Sequence, residues 1–147
     1  MASWRDTASA QAQADLDGLF DTASEFARQQ LEKRGEFHPY AVVVRTDGET
    51  AFVDASLAVD TDQPSSVDII AACRETLAAT RDELRAAAVV ADVRLVSMGG
   101  DAIQVEVEHA EGTAITILLP YTKKRFGRGV QFGELRASAG TRHVWVD

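Results

Sequence analysis

Apolar and polar residues alternate with a period of two along the stretch from Val89 to Tyr121. Ile103, Val105, Val107 and His109 fall in one row, and Gln104, Glu106 and Glu108 fall in the other. Ala110-Glu111-Gly112 interrupts the pattern, after which Thr113, Ile115, Ile117 and Leu119 rejoin the apolar row. This predicts two strands joined by a three-residue loop, with Gly112 at a left-handed bulge position. Upstream, Val89, Ala91, Val93 and Leu95 alternate with Asp92 and Arg94, which predicts a third strand turning at Met98-Gly99-Gly100-Asp101. The expected sheet is antiparallel, with one buried face and one acidic face.

A different period governs the N-terminal third. Leu16, Leu19, Phe20, Ala23, Phe26, Ala27 and Leu31 recur at spacings of three and four, the stripe of an amphipathic helix. The helix is expected to start between Ser9 and Asp15 and to end near Arg34. Lys33 and Arg34 suit its C-terminal dipole, and Gly35 suits a left-handed cap. Trp4 is either a docking anchor or part of an exposed end.

Pro39 keeps His38 extended and leads into Tyr40-Ala41-Val42-Val43-Val44-Arg45, a β-branched run. Asp47-Gly48 signals a two-residue hairpin that would pair Val44 with Ala51, Val42 with Val53 and Tyr40 with Ala55. Asp60 to Ser66 is a polar connector, and Ser65 or Ser66 can cap a second helix with Asp68 in its first turn. That helix is expected to reach about Arg85, with Ile70, Cys73, Leu77 and Leu84 on its inner side; Ala86 to Val90 suits either a last helical turn or a strand. After Pro120, Lys123 to Gly129 forms a basic loop and Val130-Gln131-Phe132 an edge strand. Arg142 to Val146 is a last strand or a tail with an apolar end.

The resulting order is α-β-β-α-β-β-β, with one further strand possible. It predicts a single α+β domain over residues 1–147, with 1–10 and 137–147 as candidate flexible ends. The architecture is a two-layer sandwich: an antiparallel sheet of about five strands with two helices on one face.

The net charge of -8 opposes sequence-independent binding to nucleic acid or to anionic membranes. Residues 1–119 carry a net -12 and residues 120–147 a net +4, so the basic end can fold back on the acidic body or meet an acidic partner. No apolar run approaches a membrane span, and Met1 to Asp6 lacks the pattern of a secretory signal. Cytoplasmic location is the expectation. The single cysteine excludes an internal disulfide.

Chemistry-bearing motifs are sparse. Asp60-Thr61-Asp62 starts like a calcium loop, but Pro64, Ser65 and Ala71 occupy the positions where further ligands and glycine belong. Gly127, Gly129 and Gly133 have the wrong spacing for a nucleotide loop. Cys73 sits at helical spacing among apolar residues and reads as core. His38, His109 and His143 share no metal-ligand spacing, so neither a metal nor a cofactor is implied. His109 reads as a hydrogen-bonded histidine near a turn. Its sharper alternative is a general base in a pocket, with His38, Tyr40 and Tyr121 as the other pocket candidates.

Glu106 and Glu108 lie two apart on a strand and share its polar face with Gln104, Thr116 and Leu118; Phe52 and Val43 are further apolar candidates there. That mixed surface suits a protein partner or a second copy of the chain. The leading expectation is a non-catalytic interaction module, one version being an inhibitor of a basic toxin. The alternative is a small enzyme or ligand-binding domain with a pocket near His109.

Gly35-Glu36-Phe37-His38-Pro39-Tyr40, Asp47-Gly48-Glu49, Asp101-Ala102-Ile103, Glu108-His109, Gly112 and Pro120-Tyr121 carry a resemblance. Over roughly Leu16 to Leu135 the chain resembles a family of small uncharacterised bacterial proteins. The resemblance implies one bacterial domain and no particular activity. It directs attention to the segment 36–40 and to the Glu108-His109 corner. The element order also resembles a roadblock or profilin-like layout, an analogy of topology that carries no function.

Overall fold

The computed structural model describes residues 4–55, 65–95, 100–123 and 129–146. The short helix α1 (Trp4–Thr7) and the long helix α2 (Ala10–Arg34) precede a hairpin of β1 (Tyr40–Arg45) and β2 (Thr50–Val53). Helix α3 (Ser66–Ala79) and a 3-10 turn (Arg81–Glu83) lead into β3 (Leu84–Leu95), β4 (Gly100–His109) and β5 (Ala114–Lys123). Two short strands follow, β6 (Val130–Phe132) and β7 (Arg136–Ala139). The sheet is antiparallel in the order β2-β1-β3-β4-β5-β6, and β7 also pairs with β5. The fold is α+β, as the periodicities predict. Among the described residues, no helix is long and apolar enough to cross a membrane.

Local signals act at both ends of α2. The Ser9 hydroxyl accepts from the Ala12 amide, and Gly35, at φ 76°, donates its N–H to the Leu31 carbonyl. Ser65 caps α3 by accepting from the Asp68 amide, a contact worth about 1 kcal/mol. Trp4 packs against the α2-side core, and the Arg5 guanidinium lies over its ring and forks onto Asp17.

Helix α2 packs Leu16, Leu19, Ala23, Ala27 and Leu31 onto Tyr40, Val42, Val44, Ala86, Ala88, Val90, Val105 and their neighbours. These strand residues alternate in sequence and therefore share one face. With the sheet, α2 forms the expected two layers. The expected position of the second helix is corrected, because α3 lies on the opposite face. There Ile69, Cys73 and Leu77 pack with Ala41, Val43, Ala87 and Val89. The helix also ends earlier than expected, at Ala79, and Leu84 opens β3 instead of closing α3.

That second covering explains the error in the first hairpin. All but the last residue of β1 are buried, so an apolar pattern cannot choose its register. Val44 pairs with Thr50 and Val42 with Phe52, one position away from the expected pairing. Arg45 donates to Glu49 and Gly48 donates to Arg45, closing a three-residue loop with Gly48 at φ 92°. The second hairpin has the same loop form and matches expectation. His109 donates to Thr113, Gly112 donates to His109, and Gly112 takes φ 117°.

β3 also bulges at its start. Val44 pairs with Ala86 and Arg45 with Leu84, leaving Arg85 unopposed. Alternation from Ala86 would send Leu84 toward α2, yet Leu84 joins the α3-side core and Arg85 reaches toward α2. A bulge re-aims side chains in this way.

Neither described end hangs loose. β7 lies on the outer edge of β5, and Val144 is buried in the α3-side core. Residues 142–146 are a docked tail and not a strand. Asp60-Thr61-Asp62, most of the polar connector before α3, Met98-Gly99 and most of the basic loop after Lys123 fall outside the described residues.

Two glycine substitutions should move stability in opposite directions. A Cβ on Gly140 would stand 2.9 Å from the backbone nitrogen and carbonyl carbon of Ile115, whereas one on Gly18 would meet nothing within 4 Å. Gly140→Ala is expected to cost about 1–3 kcal/mol, and Gly18→Ala, in exposed mid-helix, to add about 0.5–1 kcal/mol. Urea unfolding of the two variants beside wild type checks both signs.

Candidate functional site

At the N-terminal end of α2, the helix crosses the end of β4. Asp15 falls in the buried stripe between Ala12 and Leu16, and His109 occupies the last apolar-row position of β4. Their side chains meet with Nε2 2.9 Å from Oδ2. The Glu111 amide donates to Nδ1 at 3.1 Å, so Nδ1 is an acceptor and Nε2 carries the proton given to Asp15. Arg85 Nη2 donates to Asp15 Oδ1 at 2.8 Å and Gln11 Nε2 to the same oxygen at 2.9 Å. The Ser9 hydroxyl, while capping α2, donates to Glu111 at 2.8 Å. Burial alone would raise the Asp15 pKa. Hydrogen bonds from His109, Arg85 and Gln11, with the Arg85 charge, outweigh that and hold the carboxyl below its usual range.

A second polar cluster occupies the other end of the same face. The Tyr121 hydroxyl donates to Asp92 Oδ1 at 2.5 Å. Burial raises the Asp92 pKa, the Tyr121 hydrogen bond opposes it, and the Asp101 charge adds to the rise. Burial also raises that of Tyr121, and its contact with Asp92 adds to the effect.

The opposite face was expected to be an exposed acidic surface; Glu108 and Glu106 correct this. The Glu108 carboxylate is buried and accepts the backbone amides of His143, Val144 and Trp145. Arg74 on α3 forks onto both oxygens of Glu106. Gln104, Thr116 and Leu118 do share this face, each half-buried, and Thr116 and Leu118 are also paired with β7. Arg74, Leu77, Val89, Glu106, Glu108 and His143 line a shallow depression that opens to solvent. Cys73 is fully buried in the α3-side core, and burial pushes its thiol up to about 11.

The fourth feature is aromatic. Phe26 on α2 meets the Tyr40 ring edge-on at 4.9 Å and the Phe52 ring at 5.2 Å. Phe37 lies 5.9 Å from Tyr40, and the Tyr40 hydroxyl donates to the Ala23 carbonyl. Phe52, on β2 at the end of the strand order, remains 53% exposed. It belongs to the α2 face, not to the acidic face for which it was a candidate.

The four pocket candidates do not converge. Through the ladder, His109 stands level with Ala86, Tyr40 with Val90 and Tyr121 with Arg94, while His38 is exposed ahead of β1. Eight strand positions separate the levels of His109 and Tyr121, roughly 26 Å along the sheet. An Asp-His pair is the starting point of general-base chemistry. Here both ring nitrogens are occupied and the ring is 3% exposed, so the arrangement serves to tie α2 to the β4–β5 loop. The sequence reading missed Asp15, Arg85 and Asp92. Asp15 had a legible signal, an acid intruding on an apolar stripe. Asp92 stood in the expected polar row of β3, opposite Val89, Ala91 and Val93, yet the row of Ala88, Val90 and Asp92 is the one that faces α2. Arg85 depends on the bulge, so neither of these two had one.

Comparison with models of known protein families, with curated proteins and with solved structures finds no match for this chain.

Asp15→Asn is expected to cost about 1–3 kcal/mol at neutral pH by weakening a buried, charge-assisted network. Because the folded pKa is depressed, the wild-type advantage is full above the ordinary carboxylate pKa of about 3.9. It closes as pH falls through the lower folded value. Denaturant midpoints measured from pH 7 to pH 2.5 test this, and a gap that widened in acid would contradict it. Asp92 has the opposite sign, since its raised pKa makes its contribution fade as pH rises through the folded value. Asp92→Asn should therefore gain stability relative to wild type as pH is raised from 4 to 8, which thermal melts across that range would reveal.

Proposed function

We propose that this chain is a non-catalytic interaction domain that meets a protein partner through the aromatic edge around Phe52. The observation that carries the reading is the 53% exposure of Phe52 while its ring rests on Phe26 and Tyr40. A large apolar side chain backed by the buried Tyr40 ring and the partly buried Phe26 ring has little rotamer freedom left to lose on binding. Covering its open half removes about 100 Å² from water, worth about 2–3 kcal/mol. An aromatic anchor of this kind is what binding hot spots commonly contain.

Charge supports the same reading. Residues 1–119 carry a net -12, which speeds encounter with a basic partner and deters nucleic acid. The polar groups that could have formed a reactive set are instead committed to internal partners: His109 to Asp15 and Glu111, Tyr121 to Asp92, Glu106 to Arg74, and Glu108 to the tail.

Capture from host lysate at moderate salt, with wild type beside Phe52→Asp, tests the proposal. The variant should keep the native circular dichroism, melt a few degrees below wild type because the contacts with Phe26 and Tyr40 are lost, and lose the captured protein. Equal capture by both would sink the aromatic-edge reading. Reversing the charges with Glu106→Lys and Glu108→Lys should instead lower the melting temperature sharply, because both carboxylates hold the fold together.

A further inference from the structure

The C-terminal segment is held on the α3 face through its backbone. Glu108, 5% exposed, accepts the His143 amide at 2.7 Å, the Val144 amide at 3.1 Å and the Trp145 amide at 2.7 Å. Its second oxygen also takes the Val144 amide at 3.2 Å. From α3's C-terminal side, the Arg81 guanidinium donates to the carbonyls of Val144 and Val146. Val144 is 3% exposed and packs in the α3-side core, with Trp145 partly buried against the same cluster.

Three successive amides closing on one anion is how a backbone concavity binds a negative charge. In this protein the anion belongs to the body and the concavity to the strap. Recognition therefore runs through amides, carbonyls and the Val144 side chain, with Trp145 packed beside it, an arrangement akin to peptide grooves that read backbone and a side-chain pocket. None of these contacts involves the connection through Thr141 and Arg142, both of which are exposed.

We infer that the surface formed by Arg81, Glu108 and the socket for Val144 is a peptide-binding groove. It takes the strap, residues 143–146, from a second copy of the chain as well as from its own. A second copy is the fitting occupant because it offers the same segment already seated there. Charge favours the exchange across copies as it does within one: the strap follows Arg136 and Arg142 in a region of net +4, and the groove lies on a body of net -12. The tethered strap competes at an effective concentration of about millimolar, so the isolated chain closes on itself and exchange follows displacement of its own strap. The groove lies on the face opposite the aromatic edge and stands independently of that reading.

Two complementary full-length variants test this. Val144→Asp spoils the strap and leaves the groove intact, while Glu108→Ala spoils the groove and leaves the strap intact. Each alone should sediment as a monomer, and their mixture should form a one-to-one dimer. A mixture that remains monomeric, with both variants retaining the native circular dichroism, would overturn the proposal. A second experiment does not require either variant to fold. A protease site placed between Thr141 and Arg142 of the otherwise intact chain is cut after folding, and a labelled peptide of residues 142–147 is added. The peptide should bind, and Arg81→Ala should weaken it about tenfold or more, as loss of charge-assisted hydrogen bonds implies. Absence of binding at millimolar peptide would equally refute the groove.

Discussion

β3 must be buried on both sides, and most of the architecture follows from that constraint. Ala86, Ala88 and Val90 face α2, while Ala87 and Val89 face α3. Small side chains in this run let a helix approach each face, and neighbouring β1 is covered with it. Because two layers press on one strand, the change of parity at its start needs a bulge. That bulge turns Leu84 to one side and Arg85 to the other. Arg85 then reaches Asp15, and Asp15 reaches His109. A packing requirement in the centre of the sheet thus positions the buried polar network at its end.

The polar chemistry of this chain is turned inward. Each buried acid is matched by donors: Asp15 by a guanidinium, an imidazole and an amide side chain, and Glu108 by three backbone amides. A buried charge without such partners would be prohibitive. These contacts join residues 94 and 35 to 37 positions apart in sequence, so they fasten the two ends of the chain to β4. Among the described residues, the large apolar side chains that face outward are Phe52, Val67, Leu135 and Val146, and of these Phe52 is the aromatic one.

Elements governed by one clear period were legible. α2 begins within the expected window of Ser9 to Asp15 and ends at the Gly35 cap, and the loop around Gly112 followed from alternation on a strand with one apolar row. Legibility failed where both faces of a strand are apolar. The register of β1 with β2 slipped by one position for that reason, and Phe52 changed faces with it. The placement of α3 failed similarly, because its apolar side names no particular face of the sheet. Glu108 was misread for a different cause: its partners are backbone amides, which carry no sequence signature. The anchoring role of His109 was readable from its place in the apolar row, whereas its partner lay at the other end of the chain.

Cys73 carries a consequence of its own. Its thiol is fully buried, with its pKa pushed up to about 11 by that burial, so in the native molecule it is both shielded and protonated. Thiolate is the reactive form, and water reaches this sulfur only when α3 lifts from the sheet. The single thiol of the chain is thus an intrinsic clock for breathing of the α3 layer: alkylation proceeds no faster than that layer opens, and any contact that clamps it slows the reaction.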